Sequence, residues 1–166
     1  MAFSCSWPYS ADRKAPFVDG FHTGFILQSL KEYTDARGAD VQIDTALPVA
    51  RGFAFFQEHL VSPDGLPRYY ADREVKPDGQ NFAQFIQTLA VCTPDEAALP
   101  MAEQAWKKMI RMLPLNAQDG LPGSRRYDRG MFDQDYPQLR WRTAPAALAT
   151  AHLIGKLEQA AAAPRA

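Results

Sequence analysis

The sequence predicts an all-α domain of antiparallel helical hairpins, about five helices, with short β-hairpin loops on one face. Three observations predict it. Five stretches repeat apolar residues at helical spacing. The links between them alternate short and long, and short links join antiparallel neighbours. Strand signals are confined to two short segments, PRYYAD and SRRYDR.

The first helix is predicted over Gly20 to Ala36, where Phe25, Ile26, Leu30 and Tyr33 form one stripe and Gly38 stops it. The second runs from about Thr45 to Val61. Asp44 or Thr45 can cap it, and Pro48 falls in the first turn, where a missing N–H costs little. The third covers about Gln80 to Cys92 and ends before Pro94. The fourth covers about Pro94 to Leu113, with acids near its start and Lys107, Lys108 and Arg111 toward its end, as the helix dipole prefers. The fifth covers about Leu139 to Ala160, with Pro145 in its opening turns or at a kink. Residues 1–18 read as an extended N-terminal arm and 161–166 as a frayed tail, so the whole of 1–166 is one domain.

The links after helices one and three are about eight residues and almost none, whereas the segments before helices one, three and five are long and rich in Pro, Gly, Asp, Arg and Tyr. Helices one, three and five should therefore point the same way, and their N-termini and long loops should share one face. Loops presented by a rigid scaffold are where function concentrates. The two later loops also resemble each other: each opens with DGLP, at Asp64 and Asp119, reaches an Arg–Tyr pair and passes through acids into an apolar helix. A repeat of this length suggests stacked helix pairs.

Bulk properties narrow the function classes. The chain has 166 residues, 46% hydrophobic and 22% charged, with a net charge of −1, so nothing marks a nucleic-acid footprint or an acidic-lipid surface. No apolar run approaches the roughly 20 residues of a membrane span, and the N-terminus lacks the basic and apolar regions of a signal peptide. A cytoplasmic protein is expected. Two cysteines, Cys5 and Cys92, have no metal-ligand spacing; a disulfide between them is one reading and a reduced pair the plainer one. No Gly-rich phosphate loop, Ser–His–Asp order or cysteine nucleophile signature is present, so no cofactor and no metal are expected.

The segments FVDGFHTGFILQSLKEY, DGLPRYYADR and YPQLRWRTAPAALATAHLI together resemble the C-terminal half of the bacterial six-hairpin (α/α)6-toroid proteins of polysaccharide metabolism and biosynthesis. The resemblance runs from about Trp7 to Leu157, and the D-x-x-H-T-G-F element at Asp19 to Phe25 is its most specific part, with Arg140 and Trp141 less so. It implies a partial toroid, because a full ring has six hairpins in roughly twice this length. Such a half ring is a compact relic, a half that pairs with a second copy or a missing-half subunit, or a truncated gene product. In such toroids the inner helices begin at the mouth of a central cavity, which would put Asp19 and His22 there.

The candidate residues each have two readings. Imidazole titrates near neutrality, so His22 could serve as general acid or base with Asp19, three residues earlier, orienting it. The structural alternative has Asp19 capping the helix and His22 bonding a neighbouring loop. Arg68, Tyr69 and Tyr70, and likewise Arg125, Arg126 and Tyr127, would suit an acidic sugar or a nucleotide sugar, since guanidinium grips carboxylate and phosphate and tyrosine packs on a sugar face. Alternatively these are loop residues whose rings pack on helices and whose cations pair with Asp72, Asp78 or Asp128. Asp78, Asp133 and Asp135 precede helices three and five and could form a hydrolytic pair or be caps. Trp141 beside Arg140 could stack on a sugar or lie in the core, and Trp7 and Tyr9 carry the same ambiguity. Phe53, Phe55, Phe56 and Leu60 exceed one narrow stripe. Either the chain forms a homodimer over them or the N-terminal arm folds back to cover them. Two functions follow from the resemblance and these residues: an accessory, non-catalytic module of polysaccharide biosynthesis that binds sugar or a protein partner, or a carbohydrate-active enzyme of hydrolase, lyase or epimerase type with His22 and Asp19 as acid–base groups. A stranded remnant of a larger gene that still folds is the third.

Overall fold

In the computed structural model, residues 6–10, 17–40, 43–75, 78–93, 98–112, 126–128, 132–134 and 143–162 are described. Among them are five α-helices: α1 Gly20–Arg37, α2 Ala46–His59, α3 Gly79–Cys92, α4 Leu99–Met112 and α5 Ala144–Ala162, with a 3-10 turn at Gly38–Asp40. Strands β1 (Arg126–Asp128) and β2 (Phe132–Gln134) pair antiparallel, with Tyr127 opposite Asp133.

The helix ends follow local chemistry. Asp19 caps α1 and Asp78 caps α3, each carboxylate accepting the backbone N–H three residues on. Gly38 closes α1 with φ +54, a conformation that a side chain would resist, and its N–H bonds to the Thr34 carbonyl. Thr45 sits at the cap position of α2 but its hydroxyl faces the Thr34 hydroxyl instead, and Asp44 takes the Ala46 N–H at 3.0 Å. Pro145 is the second residue of α5, within its opening turn.

Helix α3 is the axis of the packing. All of its residues except Gln80 and Val91 are buried, and it contacts α1, α4 and α5. Direction follows from pairs of contacts. Gly20 meets Asn81, Gly24 meets Thr88, and Lys31, Glu32 and Asp35 lie near Cys92, so α1 runs parallel to α3. Thr34 meets Thr45, Leu27 lies beside Gly52 and Gly24 beside Phe56, so α2 runs back along α1. On the other flank Lys156 reaches the Thr93 carbonyl at 3.1 Å and Trp106 Nε1 donates to Thr150 at 2.9 Å. Those contacts place α4 and α5 together against α3. Of the predicted directions, α1 and α3 share one sense and α2 runs opposite to them.

The core is a single cluster. Leu27, Phe56, Leu60, Phe82, Phe85, Ile86, Leu89 and Met109 supply its bulk, and Ala102, Ala105, Ala146 and Ala149 let α4 and α5 approach closely. The apolar stripe of α2 is part of it: Phe56 and Leu60 are fully buried, and Phe53 and Phe55 pack against the same cluster. The Trp7 indole of the N-terminal arm lies on Gly52, where any Cβ would collide with it. The surface that suggested a partner is covered within one chain. Cys92 is free and buried at the end of α3, and burial pushes its thiol up to about 12, against a small opposing pull from Lys31. Cys5 lies outside the described residues, as do 94–97, 139–142 and 163–166 and the second DGLP copy at Asp119. Among the described residues no helix is long and apolar enough to cross a membrane.

Two glycines test the packing account in opposite directions. A Cβ at Gly24 would lie 2.5 Å from Thr88 Oγ1 and 3.0 Å from Gln84 Cγ, whereas one at Gly155 in α5 meets nothing within 4 Å. In chemical denaturation Gly24→Ala should lose about 1–3 kcal/mol by forcing α1 off α3, and Gly155→Ala should gain about 0.5–1 kcal/mol from helix propensity. A neutral Gly24→Ala would refute the close α1–α3 contact.

Candidate functional site

The start of α1, the loop after α2 and the start of α3 meet at one end of the molecule. The loop leaves α2 as a tight turn: Ser62 N–H bonds to the Leu66 carbonyl and Arg68 N–H to the Leu60 carbonyl, both at 2.8 Å, with Gly65 at φ +75. Residues 69–71 then pair with the approach to α1, Gly20 N–H to the Tyr69 carbonyl at 2.8 Å and Ala71 N–H to the Val18 carbonyl at 3.0 Å, which sets Asp19 opposite Tyr70. Asn81, in the first turn of α3, holds the Arg68 carbonyl at 3.2 Å. Gly20 sits between them, and a Cβ there would lie 2.7 Å from the Arg68 carbonyl oxygen. A strand-like pairing and two helix starts therefore converge because glycine leaves room.

Asp19 does two jobs there. It is 3% exposed. Its Oδ1 accepts the His22 backbone N–H at 2.7 Å, and His22 Nδ1 lies 3.0 Å from Oδ1 and 2.8 Å from Oδ2. The acid both caps the helix and grips the imidazole. A carboxylate accepts, so Nδ1 is the nitrogen that carries the proton, and Nε2 of the neutral ring keeps its lone pair. The His22 side chain is 45% exposed.

Aromatic rings surround the imidazole. Tyr9 meets it edge-on at 4.8 Å and Phe21 at 5.1 Å. Tyr9 stacks on Phe17 at 5.0 Å, and Phe17 meets Tyr70 edge-on at 5.3 Å. Tyr69 and Tyr70 lie 4.7 Å apart. Arg73 places its guanidinium 3.7 Å from the Tyr70 ring centre. Tyr9 N–H bonds to the Phe17 carbonyl at 3.0 Å, fixing this part of the arm against the site.

Of the residues singled out in the sequence, the structure brings together Asp19, His22, Tyr69, Tyr70 and the Arg68 backbone. The Arg68 side chain turns to other partners: Nη2 is 3.5 Å from Glu74, Nη1 donates to the His59 carbonyl at 3.5 Å, and Nε is buried without a partner. Asp78 caps α3 through the Asn81 N–H at 2.9 Å, the plain reading. Arg125, Arg140, Trp141 and Asp135 lie outside the described residues, and Tyr127 is placed only by its backbone register in β1. Sequence reasoning missed Arg73 and the part Phe17 and Tyr9 play beside His22. The only signal was an arginine three residues past an aromatic pair, since the contact between the arm and α1 spans a segment with no periodicity. Among the described residues no group of three or more His, Cys, Asp or Glu is placed to hold a metal ion. Comparison with protein-family models, curated proteins and solved structures finds no match.

The paired roles of Asp19 separate by mutation. Asp19→Ala should cost about 1–2 kcal/mol through the lost cap, while His22→Ala, which removes a half-exposed ring, should leave the melting temperature nearly unchanged. Long-range 15N NMR on the neutral imidazole should report a protonated Nδ1, and the preference should disappear in Asp19→Ala. An Nε2-protonated ring in the unmodified chain would contradict the assigned hydrogen bond.

Proposed function

We propose that this chain is an accessory, non-catalytic helical module of polysaccharide biosynthesis that binds a saccharide at the start of α1. The observation that carries the reading is the imidazole of His22, anchored by a buried carboxylate and half exposed between Tyr9 and Phe21, with Phe17 stacked on Tyr9. An oriented polar group beside aromatic surface is the usual means of holding a ring that has hydroxyls at its rim and C–H groups on its faces. Helix packing supports a partial (α/α) toroid: α1 and α3 run side by side in one sense, α2 runs back along α1, and α4 and α5 pack together against α3. In that reading the starts of the parallel helices form the binding mouth, and loops such as 61–71 form its rim.

The Asp19–His22 pair favours a second reading, a carbohydrate-active enzyme in which Nε2 takes or gives a proton and Asp19 holds the ring in place. The accessory reading is preferred because a partial ring lacks much of the wall that a deep catalytic cavity needs.

Titration calorimetry and NMR against a panel of oligosaccharides test the first reading. Tyr9→Ala and His22→Ala should each weaken binding about tenfold, the loss of roughly one hydrogen bond or ring contact, with little change in melting temperature. Hydrolysis or elimination of the same oligosaccharides, abolished in His22→Ala, would establish the enzyme instead. A large stability loss in His22→Ala without any binding effect would mark a structural histidine.

The covered stripe on α2 also bears on assembly. Phe25, Leu148 and Ile154 remain exposed on α1 and α5, but scattered apolar side chains are normal on a protein surface. Light scattering at micromolar concentration should give the mass of one chain; twice that mass would restore the homodimer or paired half ring.

A further inference from the structure

We infer that the site around His22 selects a neutral, hydroxyl-bearing sugar ring over an acidic sugar or a nucleotide sugar. This rests on the saccharide reading above and names its substrate class.

The first argument is that the two guanidiniums described beside the site are already engaged. Arg73 lies over the Tyr70 ring, and its Nη1 is 3.3 Å from both carboxylate oxygens of Asp72. Arg68 faces Glu74 and the His59 carbonyl, and its Nε is closed off from solvent. Neither guanidinium presents the open fork that binds a carboxylate or phosphate in bidentate fashion. The Asp72 and Glu74 pairs are exposed and individually weak, yet they keep local positive potential low. Among the described residues around the same helix starts, the carboxylates of Asp19, Asp72, Asp78 and Glu74 stand beside these two guanidiniums.

The second argument concerns hydrogen-bond polarity. With Nδ1–H committed to Asp19, the neutral imidazole offers only an acceptor at Nε2. A carboxylate or phosphate oxygen is also an acceptor, so the two repel. A sugar hydroxyl donates to Nε2 and completes the pair. Tyr9, 56% exposed beside it, supplies apolar surface for the C–H groups of the same ring.

The test is an NMR titration of the full chain with neutral trisaccharides of glucose, mannose and galactose, set against trigalacturonate and UDP-glucose. At least one neutral trisaccharide should shift the His22 ring signals and bind at least fivefold tighter than either anion, with affinity unchanged between 50 and 500 mM salt, since no charge pair forms. Replacing Asp72 with Asn and Glu74 with Gln together should release the guanidiniums and raise trigalacturonate affinity severalfold. His22→Gln, which retains a side-chain acceptor, should bind the neutral sugar better than His22→Ala. If an anion binds as tightly as the neutral sugars, or tighter with loss at high salt and in Arg73→Ala, the selectivity is overturned while saccharide binding stands. If none of the probes binds, the saccharide reading fails and this inference with it.

Discussion

The contact between α1 and α3 is the constraint on which the rest of the molecule depends. Both helices start at the same end and run in parallel, and the surfaces that meet are glycine on one side and small or polar residues on the other. Gly20 clears the Arg68 carbonyl and the Asn81 amide, and Gly24 clears Thr88 and Gln84. Without a Cβ at those two positions the helix backbones come close enough for polar side chains to close the gap. Gln84 donates to Gln28 at 3.0 Å, and Thr88 donates to the Gln84 carbonyl at 2.8 Å. A buried amide without a partner costs more than a hydrogen bond returns; the Gln84–Gln28 bond crosses the contact and depends on the close approach, the Thr88 bond lies within α3, and the buried Thr23 hydroxyl of α1 has no partner.

The site is a consequence of that seam. Setting α1 against α3 at their first turns traps the loop from α2 between them, and the loop then pairs with the residues leading into α1. Asp19 is buried by this closure. A buried carboxylate needs hydrogen bonds, and it finds them in the α1 backbone and in His22. The helix cap and the orientation of the imidazole are thus one interaction, and any ligand chemistry at Nε2 inherits its geometry from the requirement to satisfy a buried acid. The aromatic rings at the site arrive from three places in the chain: Tyr9 and Phe17 from the arm, Phe21 from α1, Tyr69 and Tyr70 from the loop.

Much of the scaffold was legible in the residues because helices announce themselves locally. The apolar stretches that predicted the later helices supply most of the core, whereas the predicted stripe of α1 does not: Phe25 is exposed, and the buried face is Gly20, Thr23, Gly24 and Leu27. Boundaries moved by few residues where caps were plain, as at Asp19 and Asp78. Link length predicted the direction of α2 against α1, because short links usually join antiparallel neighbours. For α2 the residues left two readings open, a partner copy or the N-terminal arm over its phenylalanines, and Trp7 of the arm lies on Gly52. The phenylalanines pack inward because α2 lies against α1 and turns Phe56 toward Phe85 of α3, at 5.7 Å between ring centres. A third partner, Trp7, comes from the arm. Hydrophobic excess in one helix says that something must cover it, and only the packing says what.

What the sequence by itself determined is the set of elements and the residue types at their ends: a helix opening with Asp19, Gly20, His22 and Gly24, and a loop carrying arginine between acids and tyrosines. Those follow from interactions spanning three or four residues, which spacing encodes. What only the tertiary structure decided is which end groups meet. That Asp78 remains a simple cap while Asp19 also holds an imidazole, that Arg68 turns toward Glu74 and His59, and that Tyr9 stands beside His22 all depend on contacts between segments distant in sequence or on the choice among several nearby charges. No periodicity records such contacts. They are selected when burial forces each polar group to find the nearest partner that the close approach of α1 and α3 leaves within reach.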